Sequence, residues 1–78
     1  MNVESGVKEA IIQRLGCEAT AVRREASLTD DLCADSLDLV ELTALLEEKF
    51  SIVIPESQAD KLGTVGHLID YITSVKRR

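Results

Sequence analysis

Apolar residues recur at intervals of three and four positions in three separate segments of this 78-residue chain. That spacing places them on one face of an α-helix, so it predicts helices over Val3–Leu15, over Ser36–Phe50 and after Thr64. The inner stripes of these helices are Val3, Val7, Ala10, Ile11 and Leu15 in the first, Leu39, Leu42, Thr43, Leu46 and Phe50 in the second, and Val65, Leu68, Ile69, Ile72 and Val75 in the last. The chain contains only one Pro and four Gly, which favours helices over the many turns of a β-sandwich.

Capping residues indicate where the helices begin and end. Asn2 is a suitable N-cap for the first helix, and Gly16 follows that helix where a left-handed residue would end it. Asp35 and Ser36 both suit the N-cap of the second helix, so the sequence leaves that choice open. Thr64 is the predicted cap of the last helix.

A long segment without periodicity separates the first two main helices. Residues 17–35 contain only scattered apolar side chains. A loop of this length is uncommon in a small domain and is often functional. We therefore expect Val22, Leu28 and Leu32 to enter the core and to anchor the loop.

The connection between the second and the last helix contains a short helix. The β-branched run 51–54 has no partner strand, so it is predicted to be an extended connection. Pro55 is expected to open a short helix that reaches Asp60 and ends before Gly63. The predicted fold is therefore all-α: a small four-helix bundle of three main helices and one short helix, with a long first loop, in a single domain over residues 1–78.

The composition argues against several classes of function. Fourteen Asp and Glu against nine Lys and Arg give a net charge of −5, which opposes binding to nucleic acid and to anionic membranes. The single histidine, His67, lies inside the last helix, and neither a phosphate-binding glycine loop nor a metal-ligand spacing is found, so we expect no enzyme and no metal site. Cys17 and Cys33 lack the spacing of a disulfide framework. With no signal peptide and no membrane-length apolar run, we expect a free-standing, monomeric, cytoplasmic protein.

Ser36 is the one position with clear chemical potential. A hydroxyl at the start of a helix is exposed, and free backbone N–H groups and the positive end of the helix dipole stabilise an anion attached there. A phosphodiester at Ser36 would need no special pocket. The residues alone leave two interpretations open: a helix cap, which explains most such serines, and a site of attachment.

A longer pattern surrounds this serine. The run Leu32-Cys33-Ala34-Asp35-Ser36-Leu37-Asp38-Leu39-Val40-Glu41-Leu42 is followed in register by Leu46-Glu47-Glu48-Lys49-Phe50, Ile54-Pro55-Glu56, Thr64-Val65 and Ile69-Asp70-Tyr71-Ile72. This pattern resembles that of the acyl carrier proteins, whose phosphopantetheine-attachment region the first run matches. The resemblance covers nearly the whole chain.

The resemblance implies a function for Ser36. This residue would carry a 4′-phosphopantetheine arm through a phosphodiester, and the thiol of the arm would hold growing acyl chains as thioesters for fatty-acid or related lipid biosynthesis. A phosphopantetheinyl transferase would install the arm from coenzyme A, with Asp35 engaging that enzyme around its magnesium and Leu37 flanking the site. The alternative within the family is a polyketide, peptidyl or aminoacyl carrier. Outside the family, it is a helical interaction module in which Ser36 is only a cap.

The resemblance also implies a docking face and a cavity. Acidic residues of the second helix would meet Arg and Lys patches on synthases, reductases, dehydratases and acyltransferases. The docking residues implied are Asp35, Asp38, Glu41, Glu47 and Glu48, with Leu37 and Val40 for apolar contact. An acyl chain would be sheltered between helices by Leu42, Leu46, Ile54, Ala59, Leu62 and Leu68.

The chain departs from the family pattern at a few positions. Cys33 stands where a glycine usually precedes Ala-Asp-Ser, which adds a Cβ to the loop and a thiol near the arm. The runs Arg23-Arg24 and Lys76-Arg77-Arg78 are unusually basic, and Ser57-Gln58 makes the short helix less acidic. These departures bear on which partners the carrier serves.

Overall fold

The computed structural model describes residues 2–59 and 61–76, without the side chain of Glu56. The helices are α1 (Val3–Leu15), α2 (Ser36–Phe50), α3 (Glu56–Ala59) and α4 (Val65–Lys76), and a 3-10 turn occupies Ala19–Ala21. Within the described ranges no strand forms, and one isolated backbone bridge joins Ser27 to Thr64. The predicted all-α fold of three main helices and one short helix is confirmed.

Local capping determines the ends of α1 and the start of α4. The Asn2 side chain accepts a hydrogen bond from the Ser5 N–H at 3.2 Å, and Gly16 ends α1 with a φ of 68°. The Thr64 hydroxyl accepts a hydrogen bond from the His67 N–H at 3.2 Å. Each cap satisfies backbone groups that a helix end leaves without a partner. The predicted caps at these three positions are confirmed.

The hydrophobic core is aliphatic apart from Phe50. Helix α1 packs against both α2 and α4. The side chains that are fully removed from solvent come from these three helices and from the first loop: Val7, Ile11, Val22, Leu42, Leu46, Val65 and Ile72. Packing is close where α1 meets α2, because a Cβ added to Gly6 would lie 2.6 Å from the Phe50 ring.

The long first loop is anchored by its apolar residues, as predicted. Val22, Leu28 and Leu32 are all buried. Backbone hydrogen bonds also fasten the loop to the start of α4: the Val65 N–H donates to the Ala26 carbonyl at 3.1 Å. The 3-10 turn was not predicted, because three residues without an apolar period give no signal.

Arg24 forms a second attachment between the loop and α4. Its guanidinium donates two hydrogen bonds of 2.9 Å to the two carboxylate oxygens of Asp70. These hydrogen bonds, and then the charge of Asp70, raise the pKa of Arg24. Both members of the basic run Arg23-Arg24 are therefore paired within the chain, since Arg23 lies 3.7 Å from the Glu25 carboxylate.

The connection between α2 and α4 differs from its prediction in detail. Ser51 ends α2 in the left-handed conformation, with a φ of 55°, so the extended segment is shorter than residues 51–54. Helix α3 begins after Pro55, whose carbonyl accepts the Ala59 N–H at 2.9 Å. The predicted end of this helix at Asp60 lies outside the described residues.

The basic end of α4 is described only in part. Lys76 is its last described residue, and its ammonium group donates a hydrogen bond of 3.2 Å to the Phe50 carbonyl. This contact satisfies a carbonyl at the C-terminal end of α2, where a cation is favourable. Arg77 and Arg78, which complete the predicted basic run, lie outside the described residues.

Candidate functional site

The start of α2 is held by a reciprocal cap. The Asp35 carboxylate accepts the Asp38 N–H at 2.8 Å, and the Asp38 carboxylate accepts the Asp35 N–H at 3.3 Å. Asp35 is therefore the N-cap, and Ser36 is the first residue of the helix. Since Asp35 caps the helix, the exposed Ser36 hydroxyl is not needed for that purpose. The interpretation of Ser36 as a cap is wrong.

The turn that leads into α2 contains strained backbone. Leu32 and Ala34 are buried on either side of Cys33, and the Ala34 N–H donates to the Leu28 carbonyl at 2.8 Å. Between these two anchors Cys33 adopts a φ of 58°, which a residue with a Cβ rarely takes. The thiol is exposed and free. A glycine would adopt this conformation without strain, which explains why Cys33 is unusual here.

Two apolar side chains are exposed beside Ser36. Leu37 is 63% exposed and Val40 is 66% exposed, although both lie on α2, whose opposite face is buried in the core. Glu48 is exposed as well, while Asp38 and Glu41 are half-buried. A surface with exposed aliphatic groups among carboxylates is suited to a partner with basic and apolar groups.

Sequence reasoning overlooked one exposed apolar residue. Val53 is 75% exposed, in the connection between α2 and α3. Its place in a β-branched run suggested only extended backbone, because alternation over so few residues does not reveal which side chains face solvent.

Glu47 has a different environment from the other predicted docking acids. Its carboxylate accepts the Ile54 N–H at 2.8 Å, and its side chain lines a cavity between helices. The hydrogen bond fastens the connection after α2 to the side of α2. Glu47 therefore differs from Asp38, Glu41 and Glu48 in that it borders the cavity.

That cavity has a volume of ≈ 440 Å³, is partly open to solvent and is lined by residues of α2, α3 and α4 and of the loops that connect the helices. Ser36 and the exposed Val40 are part of its lining, so the cavity reaches the start of α2. The predicted wall residues that the structure brings together there are Leu42, Ile54, Ala59, Leu62 and Leu68, and the lining also includes Leu28, Leu39, Thr43, Ala44 and Glu47. The Thr43 hydroxyl is satisfied within α2, because it donates a hydrogen bond to the Leu39 carbonyl at 2.8 Å.

Leu46 is the one predicted wall residue that does not line this cavity. Its side chain is fully enclosed by the hydrophobic core, with 0% exposure. The helical period correctly assigned it to the inner stripe of α2. The buried face of α2 contacts both the cavity and the close-packed core. A position on this face therefore does not reveal which of the two a side chain contacts.

Three further observations concern membrane spans, metal ligands and the histidine of the chain. Among the helices of the described ranges, none combines the length and the apolar character of a membrane span. Across the same residues, His, Cys, Asp and Glu side chains form no group of three or more that could hold a metal ion. His67 is exposed on α4.

Comparison with known proteins identifies the class. The family model described as "Phosphopantetheine attachment site" matches residues 5–72. The chain therefore belongs to the family of phosphopantetheine-bearing carriers, whose covalent cofactor is 4′-phosphopantetheine. A solved structure of an acyl carrier protein from Enterococcus faecalis, described for its high thermal stability, matches with a TM-score of 0.79 and 36% identity over 92% of this chain and 91% of that chain. Together these matches confirm the predicted membership among acyl carrier proteins.

Proposed function

We propose that Ser36 is the residue that carries the phosphopantetheine arm. The observation that carries this proposal is the position of Ser36: it is exposed, it is the first residue of α2, and its helix is already capped by Asp35. A phosphodiester on its hydroxyl would lie at the positive end of the α2 dipole. It would also stand at the rim of the cavity, from which an attached chain could enter.

The attachment reaction uses Ser36 as the nucleophile. The Ser36 oxygen attacks the β-phosphorus of coenzyme A, forms a new P–O bond and displaces 3′,5′-adenosine bisphosphate. A base of the phosphopantetheinyl transferase takes the hydroxyl proton. When bound, the arm supplies a thiol that holds acyl groups as thioesters.

The apolar cavity supports acyl chains as the cargo. Apart from the edge contributed by Ser36, Thr43 and Glu47, its walls are aliphatic. Burial of each methylene contributes about 0.8 kcal/mol, so an acyl chain is stabilised there in proportion to its buried length. We propose a role in fatty-acid or related lipid biosynthesis on this basis. The chain contributes no catalytic residue and delivers its cargo to enzymes.

The exposed side of α2 is the proposed docking face, comprising Leu37, Asp38, Val40, Glu41 and Glu48. Carrier proteins interact with transferases and biosynthetic enzymes in general, and this face offers carboxylates and aliphatic groups to a basic partner. Individual exposed ion pairs contribute only about 0.2–1 kcal/mol, so several together guide encounter and still allow release. We propose a cytoplasmic location, which the free thiols of Cys17 and Cys33 support, and one carrier domain over residues 1–78, which the single hydrophobic core of the described residues supports.

The experiment compares three proteins: the wild type, Ser36→Ala and Ser57→Ala. Each is incubated with coenzyme A and a phosphopantetheinyl transferase, and its intact mass is measured. We expect the wild type and Ser57→Ala to gain the mass of one arm, and Ser36→Ala to gain none. Because Ser36 is not the cap, alanine there should change stability by less than about 0.5 kcal/mol. Modification of Ser36→Ala would disprove the assignment.

A further inference from the structure

A cation of α1 contacts the proposed docking face. Arg14 lies in the last turn of α1, and its guanidinium reaches across to α2. One guanidinium nitrogen lies 2.6 Å from Oε2 of Glu41 and 3.5 Å from Oδ1 of Asp38. Two of the carboxylates that a basic partner would bind are therefore already paired within the chain.

The contact with Glu41 hides one oxygen without giving it an aligned hydrogen bond. Oε2 of Glu41 is removed from solvent, yet it has no hydrogen-bond donor in the described structure. The pair with Arg14 is thus held by charge at short range and lacks good hydrogen-bond alignment. A partner cation that donates a well-aligned hydrogen bond would satisfy this oxygen better.

The rest of the Glu41 side chain remains accessible. It is 42% exposed, and Arg14 is 38% exposed, so neither side chain is locked in the core. Arg14 can therefore rotate away when a partner approaches. The pair is an exposed ion pair, whose strength is small enough for a partner to overcome.

We propose that Arg14 is an intramolecular competitor at the docking face: it occupies Glu41 and Asp38 in the free protein, and a basic partner must displace it to bind. This inference rests on the proposed function, since it takes the α2 surface to be where the phosphopantetheinyl transferase docks. Arg14 weakens this docking in two ways. Its pairing must be broken, and its own positive charge repels a basic partner.

The test compares Arg14→Gln with Lys8→Gln. Both variants remove one positive charge from α1, but Lys8 pairs with Glu4 on the same helix, at 3.1 Å. Transfer of the arm from coenzyme A by a phosphopantetheinyl transferase is followed by intact mass, and KM for the carrier and kcat are measured at low salt. Circular dichroism establishes that both variants are folded.

We expect Arg14→Gln to lower KM about 1.4- to 5-fold with kcat unchanged, which is the range that follows from the loss of an exposed ion pair. Lys8→Gln should leave KM close to that of the wild type. Raised salt should reduce the difference between Arg14→Gln and the wild type, because it screens the pair and the repulsion alike. If Arg14→Gln behaves as Lys8→Gln does, or raises KM, the inference is overturned.

A comparison in a Glu41→Gln background distinguishes displacement of Arg14 from Glu41 from general charge repulsion between Arg14 and the partner. In a Glu41→Gln background the main partner of Arg14 is lost, so most of the gain from Arg14→Gln should disappear. A full gain in that background would overturn the displacement mechanism. If none of the proteins accepts the arm, the proposed function fails and this inference fails with it. Transfer to all of them with no effect at Arg14 would overturn this inference alone.

Discussion

The two sides of α2 are packed very differently. On the side toward α1, Val7 and Ile11 are fully buried, and Gly6 leaves no room for even one added methyl group beside Phe50. On the side toward α3, a cavity of ≈ 440 Å³ separates the helices. A four-residue helix covers less surface than α1 does, and this leaves space next to Leu62.

This difference separates the side of α2 that contributes most to folding stability from the side that is proposed to bind the acyl chain. Close-packed interiors contribute most to folding stability, because dispersion contacts and apolar burial are both complete there. A partly filled side loses some of these contacts and gains room for a ligand. Helix α1 thus fixes the positions of α2 and α4, while α3 borders a cavity that has room for an acyl chain.

The largest effect should come from truncation on the tight side. Ile11→Ala removes a fully buried side chain and should lower the free energy of unfolding by about 2–5 kcal/mol. Leu62→Ala, on the half-buried cavity wall, should lower it by only about 1 kcal/mol, since less area is lost from burial. Urea denaturation of both variants provides the comparison. Equal losses would mean that the cavity side is packed as firmly as the α1 side.

The next largest effect should come from filling the cavity with cargo. A medium-length acyl chain on the arm at Ser36 should stabilise the protein by about 2 kcal/mol relative to the bare arm, if three methylenes are buried at about 0.8 kcal/mol each. Differential scanning calorimetry of the two forms measures this gain.

A matched variant tests whether the cavity is the place of burial. Ala59→Phe places a ring in the cavity wall, so the same acylation should then add little stability. The unloaded variant must first be compared with the unloaded wild type, because overpacking alone costs about 1–3 kcal/mol. Identical melting temperatures for acylated and bare-arm wild type, at several chain lengths, would show that the cargo stays in solvent.

A smaller difference in stability should follow from enlarging one side chain on each side of α2. Gly6→Ala should destabilise the protein by about 1 kcal/mol, because the clash with the buried Phe50 ring outweighs the better helix propensity of alanine. Ala59→Leu, beside open space, should change stability by less than about 0.5 kcal/mol. Thermal unfolding of both variants measures the difference. A more stable Gly6→Ala would show that the α1 side has room to adjust.

The smallest effect should come from the turn before α2. Cys33→Gly should stabilise the protein by about 0.5 kcal/mol, because relief of the left-handed strain, worth about 1–2 kcal/mol, is partly offset by the greater freedom of glycine in the unfolded chain. Cys33→Ala retains the strain and should be close to neutral. Chemical denaturation under reducing conditions compares the two. A destabilised glycine variant would show that the Cys33 side chain makes favourable contacts that outweigh its strain.

Much of the fold was predictable because its signals are local. The apolar stripes, the Asn2 and Thr64 caps and the Gly16 stop each depend on a few neighbouring residues, and all agree with the structure. The pattern around Ser36 likewise indicated the family. The choice of cap at α2 was not predictable, because Asp35 and Ser36 have similar cap preferences. The reciprocal hydrogen bonds with Asp38 favour Asp35.

Local signals in the chain specify where the helices lie, which of their faces are apolar and which serine begins α2. Those properties follow from a period of 3.6 residues and from capping chemistry, and both act within one or two helical turns. Packing between the helices, by contrast, establishes that Leu42 lines the cavity while Leu46 does not, and that Arg14 of α1 pairs with Glu41 of α2. Both outcomes depend on how each helix is rotated and how closely it packs against the others, and no local pattern in the chain records these relations.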